Sequence, residues 1–143
     1  MKKTIAIVSM FVMMIGCDSD NNIINIIDVQ QVQNIAKVGI WRIVSYIDSG
    51  IDKTSDYTGY NFEFVDNGIV TAAKGTDTVL GTWSVTNSSS SGSEVIDFNL
   101  SFVSPSNFLK LSDDWDLVSL NNATIDLIDQ NGGVTDMLTF KKN

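Results

Sequence analysis

The sequence predicts an all-β domain, an eight-stranded antiparallel up-and-down barrel preceded by a short amphipathic helix. From Val38 onward, apolar and polar residues alternate with a period of two in short runs that are bounded by Gly, Asn, Asp or Ser. Eight such runs follow one another along the chain. Because a closed barrel leaves no strand edge exposed, eight consecutive strands of this kind favour a barrel over two separate sheets.

The first 17 residues are typical of a bacterial export signal. Two lysines precede an apolar run of twelve residues, Thr4–Ile15, and a small residue follows it. A membrane-spanning helix needs about 20 apolar residues, so this run is too short to remain as a span. The segment Met14-Ile15-Gly16-Cys17 resembles the lipobox of bacterial lipoproteins. The resemblance implies that residues 1–16 are a cleaved signal peptide and that Cys17 is lipidated and becomes the mature N-terminus.

Lipidation of Cys17 would hold the mature protein on a membrane. Two or more acyl chains provide stable anchoring, and residues 17–22 then form the lipidated cysteine and its tether. We therefore expect an exported, membrane-anchored protein of the outer membrane, on the periplasmic or the surface-exposed side. Asp18 and Asp20 resemble two different sorting signals, inner-membrane retention in enterobacterial lipoproteins and surface export in Bacteroidota lipoproteins. The membrane face therefore stays open.

Composition limits both the size of the folded part and its chemistry. The mature chain, residues 17–143, has 127 residues, enough for one domain, and carries 7 basic against 17 acidic residues. A net charge of about −10 is expected to repel nucleic acid and anionic lipid headgroups. No basic patch is expected to interrupt it, since Lys141 and Lys142 read only as a C-terminal pair. The chain has no histidine and its one cysteine is assigned to lipid, which excludes Ser-His-Asp triads, Cys-His pairs and His or Cys zinc sites. We expect no enzyme activity, no cofactor and no metal.

Residues 23–36 predict an amphipathic helix. Its apolar residues recur so that they form one broad face, with Asn, Asp and Gln opposite and no Gly or Pro in the segment. Asn21 or Asn22 is expected to cap its start. The apolar face either packs on the protein's own domain or touches lipid, since only five residues separate the helix from Cys17. The lack of Lys and Arg on the polar face favours packing on the domain.

Eight strands follow in the barrel segment, residues 38–143. Asp66-Asn67-Gly68 predicts a tight hairpin turn because glycine tolerates positive φ, and Asn121-Asn122 and Asn131-Gly132-Gly133 predict similar turns. The Ser/Gly segment 88–93 is expected to be a loop without chemistry. The predicted strands are 39–47, 60–66, 68–74, 79–86, 94–102, 115–120, 123–129 and 135–141.

Alternation also predicts which side chains point into the barrel, because successive residues of a strand face opposite sides of the sheet. In the second strand three aromatic residues share one face, and the residues between them share the other. The predicted inward set comprises Trp41, Tyr60, Phe62, Phe64, Val70, Ala72, Trp83, Ile96, Phe98, Leu100, Phe102, Trp115, Leu117, Ile125, Leu127, Leu138 and Phe140. The predicted interior is therefore rich in aromatic rings.

Several segments of the chain resemble the lipocalin family. Gly39-Ile40-Trp41, at the start of the first strand and just after a short helix, resembles the lipocalin Gly-x-Trp signature, in which the Trp closes one end of the barrel. A long first connection, Asp48–Gly59, is comparable to the lid loop over a lipocalin's open mouth. The segments GIWRIVSYIDSGIDKT, YNFEFVDNGIV, GTWSV, LSDDW and DMLTFKK look like the small lipocalin-like domains of Bacteroidota lipoproteins. The resemblance covers residues 23–143 and implies a lipocalin-like barrel.

The aromatic interior is the first candidate site. If the barrel is hollow, Trp41, Tyr60, Phe62, Trp83 and Phe98 line a pocket for a small apolar, lipid-like ligand, as the resemblance to lipocalins implies. If the barrel is filled, the same residues are core, because eight strands leave room for side chains or for one small ligand. The first interpretation predicts a non-catalytic ligand-binding lipoprotein of the cell envelope. The second predicts a packed barrel that acts as a protein–protein interaction module of an envelope complex.

Two acidic candidates are weaker. Ser112–Asp116 places three carboxylates around Trp115, a set that could ligate calcium or stack on a sugar. The simpler interpretation makes the first two aspartates a turn, sends Trp115 into the core and leaves Asp116 in solvent. Glu63 and Glu94 are the only glutamates, and both fall on predicted outward faces. The pattern therefore selects no carboxylate pair for glycoside hydrolysis.

Overall fold

The computed structural model describes residues 27–90 and 92–143. These residues form one N-terminal helix, a single antiparallel sheet and two short helical segments inserted between strands. Helix α1 spans Val29–Ala36, a 3-10 turn spans Thr54–Tyr57 and α2 spans Ser106–Leu109. The strands are β1 (Trp41–Asp48), β2 (Ile51–Asp52), β3 (Asn61–Phe64), β4 (Ile69–Lys74), β5 (Asp77–Ser90), β6 (Ser93–Phe102), β7 (Asp113–Leu120), β8 (Thr124–Asn131) and β9 (Val134–Lys142).

The sheet closes on itself into an eight-stranded barrel. From β3 to β9 each strand pairs with the next in antiparallel fashion, and β9 pairs with β1 over most of its length. A pairing between β1 and β3 completes the ring, while the two-residue β2 adds only to the end of β1. This confirms the predicted all-β, up-and-down barrel with a short helix before its first strand.

The seam between β1 and β3 is the least paired part of the barrel wall. In the described residues Trp41 and Phe62 form its one residue pair, whereas β5 and β6 share ten. Beyond that pair, the Lys53 amide donates to the Tyr46 carbonyl at 2.8 Å, and the Tyr46 amide donates to the Thr54 hydroxyl at 2.9 Å. A loop therefore takes the place of strand pairing along most of this seam.

Helix α1 begins later than the sequence predicted. Asp28 has extended backbone geometry, and its carboxylate accepts a hydrogen bond from the Gln31 amide at 2.7 Å, so the helix starts at Val29. An Asp in this position satisfies one of the free amides of the first turn, which is what defines a helix start. The caps expected from the sequence, Asn21 and Asn22, lie outside the described residues.

The apolar face of α1 packs on one end of the barrel, mainly against β5. Val32 and Ala36 have no exposed surface, so this face contacts the protein's own domain. The strand that supports it is longer than predicted. Segment 88–93, expected to be a loop, is mostly strand because β5 and β6 stay paired as far as Ser90 and Ser93. Backbone hydrogen bonds hold this hairpin, and they do not require the side chains that favour strands.

Two segments expected to be loops close the opposite end of the barrel, which we call the mouth. The connection 49–60 contains β2 and the 3-10 turn, and the connection 103–112 contains α2. Tyr57 and Phe108 from these segments are buried in the core. The sequence did not predict these helical pieces because each is four residues long, too short to show a helical period of apolar residues.

The Gly39-x-Trp41 motif closes the α1 end. The Trp41 indole N–H donates to the Ala36 carbonyl at 2.8 Å, and its ring lies 4.7 Å from the Lys142 ammonium. Gly39 has a φ of +97°, and a Cβ at this position would lie 3.2 Å from the Lys142 side chain. Glycine therefore meets two requirements at position 39. It adopts a positive φ, and it leaves room for the Lys142 side chain to reach the Trp41 ring.

A second glycine is required by packing alone. Gly81 on β5 is paired with Phe102 on β6, and a Cβ at Gly81 would lie 2.5 Å from the Phe102 ring and 2.6 Å from the Ser101 carbonyl. A Cβ atom does not approach a nonbonded heavy atom this closely, so one of the partners would have to move. The Phe102 ring occupies the space in which a side chain at position 81 would lie.

We expect Gly81→Ala to lower the free energy of unfolding by about 3 kcal/mol, because overpacking a rigid core site forces backbone and ring to shift. Urea unfolding followed by tryptophan fluorescence measures the change. Gly75→Ala is the matched control: its Cβ would meet no atom within 4 Å, and its positive φ alone should cost about 1 kcal/mol. Equal losses for the two variants would contradict this account of Gly81.

Candidate functional site

The interior of the barrel is filled by its own side chains. The Phe64 ring on β3 lies 5.3 Å from the Phe98 ring on β6 and 5.6 Å from the Phe140 ring on β9, measured between ring centroids. The Phe62 ring lies 5.3 Å from that of Phe140. Because β3, β6 and β9 belong to different parts of the wall, these contacts span the lumen.

The five residues predicted to line a ligand pocket are all inward-facing. Trp41, Phe62 and Phe98 have 0% exposed surface and Trp83 has 7%, while Tyr60 is half-buried. A side chain that lined a cavity large enough for one water molecule would have accessible surface toward it. Protein atoms therefore cover Trp41, Phe62 and Phe98 on every side.

These five residues do not surround one common space. Trp83 and Phe98 stack with 5.7 Å between their ring centroids, and Trp41 and Phe62 are cross-strand partners. Tyr60 lies at the mouth, where the Lys74 ammonium is 5.5 Å from its ring. The structure thus distributes the predicted pocket residues along one filled core.

A phenylalanine that sequence alternation did not reveal plugs the mouth. Phe108 on α2 has no exposed surface, and its ring centroid lies 5.1 Å from Tyr60, 5.2 Å from Phe102, 5.6 Å from Tyr57 and 6.1 Å from Phe62. Its four-residue helix is too short to show a helical period. The one sequence signal was the apolar pair Phe108-Leu109, followed by Leu111, in the second half of the connection.

Two tyrosine hydroxyls fasten α2 to the mouth. Tyr46 donates to the Lys110 carbonyl at 2.8 Å, and Tyr57 donates to the Asn107 carbonyl at 2.7 Å. Burial raises the pKa of both tyrosines well above the ordinary value, and nearby negative charge adds to the effect. Both hydroxyls therefore keep their protons, and the two hydrogen bonds persist, across the whole physiological pH range.

Carboxylates gather around this closed mouth. The group that we call the acidic mouth is Asp48, Asp113, Asp129 and Asp136, three of which raise the pKa of the nearby Tyr46. A hydrogen bond from the Lys110 ammonium, at 2.6 Å, lowers the pKa of Asp48. Burial is the main cause that raises the pKa of Asp113 to about 6, and the charge of Asp129 contributes. The mouth is therefore negatively charged but offers no exposed apolar opening.

The acidic segment Ser112–Asp116 is part of a strand rather than a turn. Asp113 and Asp114 begin β7, because they pair with Leu100 and Asn99 of β6. Trp115 enters the core as predicted and its indole N–H donates to the Leu111 carbonyl at 3.0 Å. Strand geometry points neighbouring carboxylates to opposite faces. Among residues 27–90 and 92–143, no group of three or more His, Cys, Asp or Glu side chains could hold a metal ion.

An apolar hollow lies on the outer face of β4, β5 and the end of β6. Leu80 on β5 and Val103, the residue after β6, are 61% and 83% exposed and flank the Gly81–Phe102 pair, and Ile69 is 36% exposed. The hollow has a volume of about 310 Å³ and is lined by Ile69, Leu80, Gly81, Thr82, Ser101 and Val103. Its lining contains no charged residue. Alternation along single strands did not predict this hollow.

The anchor residue Cys17 lies outside the described residues, which begin at Ile27. Across the described ranges, no helix combines the length and the apolar character that crossing a membrane would require. Helix α1 starts two residues after Ile27, so the chain enters the fold at the α1 end of the barrel. The mouth lies at the far end.

A solved structure with a similar fold is that of a DUF4847 family protein from Bacteroides vulgatus. The likeness has a TM-score of 0.50 and covers 78% of this chain and 97% of that one, with 17% sequence identity. No protein family model matches the chain, and no curated protein does. Since identity this low shows the fold alone, function has to be argued from the surfaces of this chain.

We expect Asp113→Asn to stabilise the protein at pH 7 by about 1 kcal/mol, a value reduced for solvent screening. The raised pKa means that the folded state holds the Asp113 proton more tightly than the unfolded state does. Stability from this group is complete below pH 4 and is lost as pH rises through about 6. Urea unfolding from pH 4 to 7 should therefore show a flatter pH dependence in the variant.

The control for this experiment is Asp77→Asn, which removes the same charge from an exposed position at the start of β5. Surface substitutions of this kind change stability by less than about 0.5 kcal/mol. If Asp113→Asn were no more stable than the wild type at pH 7, the carboxylate would not be destabilised by its place in the mouth.

Proposed function

We propose that the mature chain is a lipoprotein held on a membrane of the cell envelope through lipid on Cys17, and that its barrel is a protein–protein interaction module. The filled interior is the observation that carries the proposal. A barrel whose aromatic side chains meet across the lumen offers partners its outer surface and nothing else. The proposal includes no reaction, cofactor, metal or nucleic acid.

A filled interior leaves no room to bind a small apolar ligand inside the barrel, which is the function implied by the resemblance to lipocalins. Ligand sites usually occupy about 300–1,000 Å³, whereas Trp41, Phe62 and Phe98 have no accessible surface on any side. Entry through the mouth would displace Phe108 and break the hydrogen bonds that Tyr46 and Tyr57 make to α2. Packed rings and hydrogen bonds therefore occupy the entry route through the mouth.

The apolar hollow on β4–β6 supports the choice of a protein partner. Exposed apolar surface rimmed by Thr and Ser is typical of protein contact sites. A volume of about 310 Å³ accommodates one or two side chains rather than a lipid tail. The hollow lies on the side wall of the barrel, between Ile69 near the α1 end and Val103 at the start of the connection that closes the mouth. We infer that another envelope protein inserts an aliphatic or aromatic side chain between Leu80 and Val103.

We expect Cys17→Ser to abolish lipidation, because the thiol is the acceptor of the diacylglycerol group in the resemblance to lipoproteins. Cells expressing the full chain are grown with an alkyne-tagged fatty acid, and the purified protein is tested for the label and for its intact mass. The wild type should carry the label and the variant should not. A variant that still carries the label would contradict the assignment of the anchor.

We expect Leu80→Glu and Val103→Glu each to weaken partner binding by about ten-fold or more, because a carboxylate in the hollow must be desolvated when a side chain enters. A photo-crosslinker placed at Thr82 in the source bacterium identifies the partner, and the purified pair is then measured by calorimetry. Val118→Glu is the matched control, since Val118 is 58% exposed on β7, outside the hollow.

Retained affinity in both hollow variants would contradict this contact surface. Native mass spectrometry of the wild-type protein tests the function itself. A noncovalently bound lipid that is lost in a Phe108→Trp variant would show that the barrel opens and carries a ligand, and the interaction module would then be wrong.

A further inference from the structure

Three cations and two exposed apolar side chains meet at the α1 end of the barrel. We call this group the basic patch, and it consists of Val38, Ile40, Arg42, Lys141 and Lys142. In the sequence the cations belong to segments about a hundred residues apart, and only the closure of the barrel brings them together. Nothing in the core packing or in the apolar hollow uses this group as a whole.

Strand register fixes the geometry of the basic patch. Arg42 on β1 and Lys141 on β9 are direct cross-strand partners, and both are exposed. Lys142 is held beside them, because its side chain crosses Gly39 and its ammonium lies 4.7 Å from the ring of Trp41. Like charges placed opposite each other in a sheet repel. A bound anion would relieve that repulsion.

The cations of the basic patch have no acidic partner in the described part of the chain. The ion pairs found there join Lys37 to Asp66 and Lys110 to Asp48, and neither includes Arg42, Lys141 or Lys142. The carboxylate of Asp126, on the neighbouring strand β8, accepts hydrogen bonds from the hydroxyls of Ser119 and Thr139 instead. The patch is therefore a local positive region on a chain whose net charge is strongly negative.

Apolar side chains stand next to these cations. Val38 and Ile40 follow the last turn of α1 and are 63% and 39% exposed. The neighbours of Ile40 are held in place, since Gly39 lies against the Lys142 side chain and Trp41 is buried. The Asn143 amide donates to the Ile40 carbonyl at 2.9 Å, which brings the end of β9 against this segment. Exposed aliphatic side chains flanked by Lys and Arg are the composition that favours the boundary between lipid headgroups and acyl chains.

The way the chain enters the fold places the patch within reach of a membrane. Ile27 is ten positions after Cys17, and ten residues span at most about 35 Å. The α1 end is where the chain enters, while the acidic mouth lies at the opposite end. The cations of the basic patch thus lie toward the anchor, and the acidic mouth lies away from it.

We propose that the basic patch docks the barrel on anionic phospholipid headgroups of the membrane that holds the protein. Arg42 and Lys141 bind the phosphates, and Val38 and Ile40 enter the headgroup layer. Docking points the acidic mouth away from the bilayer and leaves the apolar hollow, on the side wall of the barrel, open to a partner. This inference rests on the proposed anchor at Cys17, and it predicts an orientation that the anchor alone does not impose.

The test uses the mature lipidated protein reconstituted into vesicles. Lipid occupies Cys17, the one natural cysteine, so Val38→Cys introduces a unique free thiol for an environment-sensitive dye. Ile51→Cys, 58% exposed in the connection at the mouth, is the matched control position. Vesicles contain phosphatidylcholine alone or with phosphatidylglycerol as about a third of the lipid. Flotation reports attachment, and dye emission reports contact of the labelled position with lipid.

We expect the dye at position 38 to shift to the blue on anionic vesicles, and the dye at position 51 to keep its emission in water. Arg42→Gln combined with Lys141→Gln should lower the ratio of docked to undocked barrel by about ten-fold or more, since each cation near an anionic surface contributes about five-fold. Lys142 is left intact because it packs on Trp41. Salt at about 1 M should have the same effect, because screening then acts within about 3 Å.

The control pair Lys53→Gln with Lys74→Gln removes the same total charge near the mouth and should leave docking unchanged. Docking that falls equally in both double variants would overturn the proposal, because net charge and not the patch would then be responsible. An equal blue shift on neutral vesicles would also overturn it. Circular dichroism verifies that each variant is folded.

Failure of the anchor is distinguishable from failure of the patch. If the protein floats with neutral and anionic vesicles while the dye at position 38 stays unshifted, the anchor is kept and the docking is overturned. Binding of the patch to an acidic protein but not to anionic vesicles would also overturn the docking. Protein that carries no acyl group by intact mass, yet floats only with anionic vesicles and shows the shift, supports the patch and contradicts the anchor.

Discussion

Three phenylalanine rings meet near the middle of the barrel, and most of the remaining structure follows from that contact. Phe64 touches Phe98 and Phe140 from opposite parts of the wall, so the rings hold β3, β6 and β9 at a fixed separation. Interiors packed at this density tolerate little change in volume. Phe102 lies over Gly81, and Phe108 packs on Phe102 to close the mouth. The filled lumen also explains why function has to be sought on the outside.

The sequence predicted the barrel and most of its core well because alternation is a property of single strands. Phe62, Phe98 and Trp115 all face inward as predicted. Alternation says nothing about how strands are registered or how far the walls stand apart, and it therefore left open whether the lumen was hollow or filled. Phe108 was missed for a related reason: it reaches the core from a four-residue helix, which has no detectable period.

Charge shows the same limit of prediction from sequence. A count of residues gave a uniformly acidic protein, in which Lys141 and Lys142 were a minor C-terminal pair. Barrel closure pairs Lys141 with Arg42, a residue of the first strand, and sends four aspartates toward the other end. The cations of the basic patch therefore lie at one end of the barrel and the acidic mouth at the other. The apolar hollow was equally hidden, since Leu80 and Val103 become neighbours only through the register of β5 and β6.

The sparse seam between β1 and β3 gives the barrel a preferred place to open. Around the rest of the ring, separating two strands breaks a ladder of backbone hydrogen bonds, whereas here Trp41 and Phe62 form the one pair and the Tyr46 amide relies on a threonine hydroxyl. Slow native-state fluctuations, of the kind seen by amide hydrogen exchange, should concentrate along this line. A pulling force applied through the N-terminus would reach the same seam first, because β1 is the first strand after α1.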